Sequence, residues 1–384
     1  MPAKHSSLIG GSTAKRRMNC IGSYQLELAA PAQPSSPYAE DGTRKHDAME
    51  LVLDKGMSEI ECLDHIEGLT VDDIQEAIEP ALELLNDLMR EYNVTDYDYV
   101  CEAEVKFQGM DAFGTVDLIV WSEKFVFVID WKFGRGIVVD VGRENMQLKF
   151  YAAAATQTPE FKKLFTPERE IVIAIIQPPV DQPLTHGIVS HDELEAFTVE
   201  MKAAIGKAIA GDMETTPGPW CKFCRAEATC PSKTDMVTAL INRGPIDPEI
   251  PSNELGALLD MAHQVEDWSR AVFKMAFDEL EKGRDVDGYK LVDKRGTRRW
   301  SGNEVENVLT DLLGDQAFEK KLVSPAKAEK ALKLAGSTAD ISTHIVSMSS
   351  GRTLAAAADP RPAVVIKPRG AMNLPQDNEG TTIK

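Results

Sequence analysis

The sequence Gly114-Thr-Val-Asp117, followed by Ile129-Asp-Trp-Lys132 and Gln147-Leu-Lys-Phe-Tyr151, decides the fold. Runs rich in Val, Ile, Phe and Trp surround the two acids and are separated by turn-like segments, which predicts three sequential antiparallel strands. These strands cover residues 99–107, 114–121 and 125–131. A helical period over 142–157 and an apolar run over 170–177 add a helix and a strand buried on both faces. The predicted order is strand, strand, strand, helix, strand.

The polar residues of these strands suit metal chemistry. Asp117 and Asp130 lie toward strand ends, and Lys132 shares a face with Asp130 because side chains alternate along a strand. Glu102 and Glu104 share a face of the preceding strand, and either could approach the site. Paired carboxylates can hold a hard divalent cation, and an ammonium group can polarise an attacking water. The set predicts metal-dependent hydrolysis of a phosphodiester.

The simpler interpretation of the acid-x-lysine pair is an exposed ion pair, worth roughly 0–1 kcal/mol. The segments on either side make the set more specific than the pair alone. Asp117 precedes the pair by one hairpin, and Gln147 and Tyr151, four residues apart, share a helical face after it.

Composition limits the classes of partner. The chain has 384 residues, enough for one elaborated domain or two, and a formal net charge of -19. Phosphate affinity comes largely from Lys and Arg, so this charge disfavours nonspecific coating of nucleic acid, and any DNA must use a local basic groove. We find neither a signal peptide nor a membrane span, which predicts a cytoplasmic protein without membrane partners.

Three of the six cysteines lie close together, in Cys221-x2-Cys224-x5-Cys230. This spacing is better suited to a metal or cluster than to a disulfide framework in a large cytosolic protein. Three thiolates leave a four-coordinate centre one ligand short. The candidates for the fourth are Cys20, Cys62 and Cys101.

Taken together, the motifs resemble those of the RecB-like branch of the PD-(D/E)XK nuclease superfamily, which run His, G-x-x-D, D-x-K and Q-x-x-x-Y. This resemblance implies an α/β fold with a mixed central sheet flanked by helices, an N-terminal helical segment and a mainly helical C-terminal appendage. It also implies one or two Mg or Mn ions. The implied metal ligands are His46, Asp117, Asp130 and the Trp131 carbonyl, and the other implied catalytic residues are Lys132, Gln147 and Tyr151.

The cysteines narrow the resemblance. The chain is similar to RecB-like nucleases with an iron-sulfur cluster, such as the AddB-type helicase-nuclease subunit and the CRISPR-adaptation nucleases. In these proteins one cysteine precedes the catalytic motifs and three follow, although Ile21 replaces the usual proline here. The resemblance implies a structural [4Fe-4S] cluster, with structural Zn as the alternative. The implied cluster ligands are Cys20, Cys221, Cys224 and Cys230.

Further segments, up to about residue 335, resemble an uncharacterised phage and prophage family of RecB-like proteins. They include Arg17-Met-Asn-Cys20, residues 39–46, residues 289–300 and residues 322–329. This likeness implies a phage-encoded protein in the cytoplasm of a bacterial host.

We predict three regions along the chain. Residues 1–240 form the RecB-like nuclease domain with its cysteine-ligated cluster. Residues 241–350 form a mainly helical region that contains an amphipathic helix over 253–282 and a basic hairpin over 289–300. The polar tail over 351–384 is predicted to be disordered.

The predicted function is a metal-dependent DNA exonuclease in phage DNA replication, recombination or end processing. An endonuclease is disfavoured because no separate base-reading module is apparent. The alternative is a weakly active or inactive nuclease-fold protein that binds DNA as a scaffold for replication or recombination proteins. Candidate partners besides DNA are a phage single-strand annealing protein, a polymerase or a helicase. The candidate DNA-binding residues are Arg17, Arg44, Arg143 and Lys149.

Overall fold

The computed structural model describes residues 9–31, 37–134, 142–180, 183–302, 304–317, 341–348 and 352–356, together with residues 139, 328, 332, 339 and 364. The chain divides into two compact units, Met1–Val265 and Glu266–Lys384. The division falls inside the long helix Ser252–Glu281, so each unit contains part of that helix. The boundaries at 240 and 350 stay predictions.

A five-stranded mixed sheet forms the centre of the first unit. Its strands are β1 Asp98–Lys106, β2 Phe113–Trp121, β3 Phe125–Trp131, β4 Glu170–Ile176 and β5 Leu184–Val189. They lie side by side in chain order, with β3 and β4 parallel and the other neighbours antiparallel. β3 and β4 are almost wholly buried, as expected of central strands covered on both faces. The predicted α/β class and strand order are confirmed.

Eleven α-helices are found within the described residues, and they flank the sheet and form much of the C-terminal region. They are α1 Ala14–Asn19, α2 Ser23–Ala29, α3 Pro37–Lys55, α4 Cys62–His65, α5 Val71–Asp73, α6 Glu79–Glu91, α7 Met146–Ala155, α8 His191–Ile209, α9 Pro231–Asn242, α10 Ser252–Glu281 and α11 Val305–Leu313. A π-helical turn, Ile74–Ile78, joins α5 to α6. None of the helices described is both long and apolar enough to cross a membrane.

Side-chain alternation along β3 directs its residues to two different cores. Val126 and Val128 pack with α7, α8 and the N-terminal segment on one face. Phe127, Ile129 and Trp131 pack with α3 and α6 on the other. Asp130 therefore belongs to the face covered by α7, as the period of two predicts.

Helix α3 begins earlier than the sequence pattern indicates. The sequence predicts a helix over residues 43–55, with Thr43 as its N-cap and His46 in its first turn, but the helix starts at Pro37. Proline suits a first turn because its fixed backbone angle is helical and its missing N–H has no partner there. Thr43 lies inside the helix and its hydroxyl donates to the Ala39 carbonyl at 3.0 Å. His46 is therefore near the middle of α3 instead of in its first turn.

The predicted basic hairpin over 289–300 is wrong. β6 Tyr289–Asp293 pairs with β9 Arg352–Ala356, and β7 Thr297–Trp300 pairs with β8 Ile345–Met348. Turn residues permit a hairpin, but the pairing of each strand here is decided by partners distant in the chain. Within the predicted tail, residues 352–356 form a strand, and from residue 357 onward the described part of the chain includes only residue 364, so the disordered tail stays a prediction.

Candidate metal centre

Asp130, which is buried, and Lys132, which is partly exposed, form an ion pair at the end of β3. The Lys132 ammonium Nζ lies 2.6 Å from Asp130 Oδ2. Asp130 is 2% exposed, so its carboxylate depends on protein groups for its interactions. Gln147, on α7, donates to the other oxygen, Asp130 Oδ1, at 3.1 Å. Two of the four predicted motifs, D-x-K and Q-x-x-x-Y, therefore meet at this carboxylate.

Asp117 links the neighbouring strand β2 to the same site. Its Oδ2 accepts the backbone N–H of Trp131 at 2.7 Å, which ties β2 to the end of β3. Its Oδ1 lies 3.4 Å from Nδ1 of His46, which reaches the sheet from α3. The edge of the His46 ring packs against Phe133, with ring centroids 5.4 Å apart.

Helix α3 is held in place next to His46 by a buried lysine. Lys45 is 6% exposed and its ammonium lies 2.9 Å from Asp73 Oδ1, at the end of α5. The same ammonium also pairs with Asp41, one turn earlier on α3. These contacts fix the position of α3 against α5 and so the approach of His46 to the sheet.

Glu102 completes the group, and its backbone is unusual. It lies in β1 between Cys101, which pairs with Leu118, and Ala103, which pairs with Val116. Its φ of +49° is in the left-handed region, which is strained for a residue with a side chain. Cys101 packs in one core, whereas Val100 and Ala103 pack in the other, so the simple alternation of β1 is broken at Glu102. Side chains in irregular backbone of this kind cluster at functional sites.

The resulting site can accept a hard cation. One ligand atom from each of His46, Glu102 and Asp117 lies within 4.8 Å of the others. These residues also line a cleft of about 380 Å³ beside α3. Carboxylate oxygens with an imidazole nitrogen suit Mg²⁺ or Mn²⁺, so the donor set fits the predicted metal. The sequence left Glu102 and Glu104 as alternative candidates for this site. Glu102 belongs to the ligand group and Glu104 lies outside it.

Burial and crowding shift the acid–base properties of the site. Burial raises the pKa of Asp130 to about 6, although Lys132 opposes the change. Burial also disfavours ionised Asp117, but His46 and Lys132 outweigh it and the pKa of Asp117 is lowered. Desolvation acts against protonated His46, yet Asp117 raises its pKa overall. A divalent cation at these oxygens would favour the ionised form of Asp130.

Tyr151 connects to Asp130 through Gln147. Gln147 Nε2 lies 3.2 Å from the Tyr151 hydroxyl, and the same amide contacts Asp130. Tyr151 is 3% exposed, and burial raises the pKa of its phenol, so it is neutral. Gln147, which is also hydrogen-bonded to Tyr151, therefore helps to hold the Asp130 carboxylate in position. The predicted role of Gln147 and Tyr151 in positioning DNA, and that of the Trp131 carbonyl as a ligand, stay predictions.

Four cysteines meet at a second place in the first unit. One small cavity is lined by Cys20, Cys221, Cys224 and Cys230. Of the three candidates for a fourth ligand, Cys20 is the one that lines this cavity. The thiol of Cys62 is next to the Ala48 carbonyl, 3.9 Å away, and Cys101 is in β1. Four thiolates are a donor set that both iron-sulfur clusters and structural zinc ions use.

A buried lysine, which the sequence analysis did not select, lines the same cavity. Lys233 is 1% exposed, in α9, and its ammonium lies 3.4 Å from Glu227 Oε1. It also contacts Gln264 of α10 at 3.2 Å. A cation buried beside four cysteines can balance thiolate charge. Only its position three residues after Cys230 could have indicated it in the sequence.

A family model for a protein of unknown function, DUF2800, matches residues 5–362. The chain belongs to this family. Among solved structures, the DUF2800 chain is similar to the one described as "Crystal structure of SSO0001", with 14% identity, a TM-score of 0.23, and coverage of 57% of this chain and 95% of that one. It is also similar to LHK-Exo in complex with dAMP, with 12% identity, a TM-score of 0.23, and coverage of 51% and 91%. Neither likeness is close enough to indicate an activity.

In this DUF2800 protein, Arg17 does not form part of a DNA-binding surface, and that prediction is wrong. Its side chain is fully buried and pairs with Glu27, which is 2% exposed. It also donates to the Ser23 hydroxyl at 2.6 Å. Arg16 pairs with Glu27 at 2.8 Å and donates to the Trp220 carbonyl at 3.0 Å. These arginines hold the N-terminal segment to the cysteine loop instead.

We expect Arg17→Met to lower the free energy of unfolding by about 3 kcal/mol, because Glu27 would lose a buried cationic partner. The matched control is Arg90→Met, whose pair with Asp87 is exposed and worth about 0–1 kcal/mol. Urea unfolding followed by circular dichroism measures both. Equal effects of the two substitutions would contradict the structural role of Arg17.

The other three candidate DNA-binding residues have different surroundings. Arg44 pairs with Asp41 at 2.8 Å, and Arg143 pairs with Glu193 at 2.5 Å. Lys149 is partly exposed on α7, the helix that carries Gln147. Ion pairs at an exposed surface are weak and can be exchanged for phosphate. Their roles in DNA binding stay predictions.

Proposed function

We propose that this chain is a Mg²⁺- or Mn²⁺-dependent deoxyribonuclease of the RecB-like branch of the PD-(D/E)XK superfamily, with exonuclease activity. The observation that carries the proposal is the convergence of His46, Glu102 and Asp117 beside the Asp130–Lys132 pair. Glu102 and Asp117 lie in the middle of β1 and β2, so Asp117 is farther from a strand end than the sequence pattern indicates, and Asp130 lies near the end of β3. Acids on adjacent strands, a histidine from a covering helix and a nearby lysine are groups that suit metal-assisted hydrolysis of a phosphodiester.

A divalent cation at this site would stabilise negative charge on the scissile phosphate. His46, Glu102 and Asp117, which line the cleft, would hold it, with the Asp130 carboxylate as a further ligand. The Lys132 ammonium orients the attacking water and lowers the energy of the negative charge that develops on it. Gln147 keeps the Asp130 carboxylate in position through its hydrogen bond.

The four cysteines are proposed to hold a structural [4Fe-4S] cluster, with zinc as the alternative. Cys20 is at the end of α1, and the other three are in the loop before α9. A group bound by all four would cross-link the N-terminal segment to the far end of the first unit, restricting the unfolded chain. Such a cross-link fits a role in stability and assembly of the nuclease site.

The biological setting belongs to the same proposal. A phage-encoded enzyme in the bacterial cytoplasm would process DNA ends during replication or recombination, with an annealing protein, polymerase or helicase as partner. A nuclease-fold scaffold with little activity is the second candidate. The intact acid, acid and lysine set favours the enzyme, because a scaffold has no need to keep these charges together.

Digestion of DNA labelled at either end tests the proposal. We expect single- or double-stranded DNA, with Mn²⁺ or Mg²⁺, to release short products from one labelled end first, and EDTA to stop the reaction. Fragments of intermediate length from both labels would indicate an endonuclease. If no DNA is cut with either metal, the scaffold is the better explanation.

Glu102→Gln should weaken Mn²⁺ binding about 10-fold, because an amide oxygen carries no charge for the cation. The matched control is Glu104→Gln, two residues along the same strand and outside the ligand group. Isothermal titration calorimetry of the two purified variants with MnCl₂ measures their affinities for Mn²⁺. A similar loss from Glu104→Gln would show that general surface charge, and not this site, binds the metal.

A further inference from the structure

One edge of the Tyr151 ring lies against two glycines from different parts of the chain. A methyl group on Gly11 would lie 2.5 Å from Tyr151 Cε1 and 2.6 Å from Cζ. A methyl group on Gly114 would lie 2.9 Å from the same Cε1. All three distances are shorter than the contact distance between two non-bonded carbon atoms. Each backbone can therefore approach this ring edge only because it carries no side chain.

The ring has little freedom to move away. Tyr151 is 3% exposed and packs against Phe150, with ring centroids 6.1 Å apart. Its hydroxyl is hydrogen-bonded to Gln147, whose amide also donates to Asp130. Packed interiors transmit such displacements instead of absorbing them. A shift of the ring would therefore move Gln147 and withdraw its support from the Asp130 carboxylate.

The segment that carries Gly11 is itself firmly attached. Ile9 and Ala14 are buried in the same core as α7. The Thr13 backbone and hydroxyl both donate to the Gly10 carbonyl at 3.0 Å, closing the turn around Gly11. Farther along, Arg16 is bonded to the Trp220 carbonyl in the cysteine loop. Gly11 therefore lies next to Tyr151 in a segment that is held firmly in place.

We propose that Gly11 is a positioning residue for the metal centre, acting on Asp130 through Tyr151 and Gln147. The proposal rests on the proposed nuclease function and adds to it a residue outside its motifs. Gly11 has no left-handed backbone angle, so an alanine can adopt its conformation. The site requires the small size of Gly11 and not its flexibility.

A double-mutant cycle on the purified full chain tests the proposal, with Mn²⁺ affinity as the measurement. Gly11→Ala is expected to weaken Mn²⁺ binding about 10-fold, as is typical when a group that supports a metal ligand is disturbed. In a Tyr151→Leu background the clashing ring edge is absent, and Gly11→Ala should have little further effect. Gly206→Ala is the control, because nothing lies within 4 Å of its added methyl group on α8. It should leave Mn²⁺ affinity unchanged.

The outcomes separate this proposal from the nuclease proposal. Unchanged Mn²⁺ affinity in Gly11→Ala, or an equal loss with and without Tyr151, would overturn the positioning role. If Gly11→Ala alone is insoluble, recovery of soluble protein in Gly11→Ala/Tyr151→Leu supports the contact, and failure to recover overturns it. If the wild type binds no Mn²⁺, the nuclease proposal fails, and a metal-positioning role for Gly11 fails with it. Mn²⁺ binding without DNA cleavage contradicts only the nuclease.

Discussion

Asp130→Asn should reduce DNA cleavage about 1000-fold while leaving the fold intact. The asparagine keeps the size of the side chain and can still accept the hydrogen bond from Gln147, but it has no charge for the cation or for Lys132. Loss of one group that stabilises transition-state charge typically costs 100- to 1000-fold. The measurement is kcat/KM on end-labelled DNA with Mn²⁺, together with the thermal unfolding midpoint.

The fold should tolerate this change. Burial raises the pKa of Asp130 to about 6, which means that the folded state disfavours the ionised carboxylate. In the metal-free protein, the stability associated with protonated Asp130 is present at low pH and is lost as pH rises through about 6. A neutral asparagine avoids that penalty, although it leaves Lys132 without its counterion. We therefore expect only a small change in the unfolding midpoint at neutral pH.

The matched control is Asp98→Asn, an exposed aspartate at the start of β1. It should cleave DNA at the wild-type rate. Full activity of Asp130→Asn would contradict the catalytic assignment. Equal losses of cleavage activity in both variants would show that the activity depends on the overall charge of the protein and not on this site.

Cys221→Ser should abolish the bound metal group and lower the free energy of unfolding by roughly 4 kcal/mol, the effect of losing a cross-link that closes a long loop. Serine is a poor ligand for iron or zinc compared with a thiolate. The proteins should be purified without air, then compared by absorption spectrum, by iron, sulfide and zinc content, and by urea unfolding.

Cys62→Ala provides the control, because Cys62 is buried away from the four-cysteine cavity. It should keep the full metal content and lose about 1 kcal/mol for the small cavity it creates. Brown protein with iron and sulfide supports the cluster, and colourless protein with one zinc supports the alternative. Wild-type protein with neither metal would contradict any metal at these cysteines.

Local sequence patterns were sufficient for the central sheet. Asp130 and Lys132 are two residues apart at the end of a predicted strand, and the period of two along a strand places them on one face. The same reasoning gave α7 and the buried strand β4. The position of His46 within α3 was less predictable, because the helix continues back to Pro37 through residues with no apolar repeat.

Contacts between segments that are far apart in the chain could not be predicted from the sequence pattern. The fourth cysteine was open among three because spacing along the chain does not determine distance in space, and the N-terminal segment had to fold against the cysteine loop to bring Cys20 there. Arg17 looked like an exposed cation next to Lys15 and Arg16, but Glu27 lies one helix later and buries it. Strand β6 was expected to pair locally, yet its partner is β9.

The sequence by itself determined the α/β sheet and the shared face of Asp130 and Lys132, because strand alternation is a local property of the backbone. Only the tertiary structure decided that Glu102 joins the ligand group, through a left-handed residue that breaks the alternation of β1. It also decided that Gly11 meets Tyr151, a contact between segments far apart in the chain. Close packing of distant segments depends on the whole fold, and no local period encodes it.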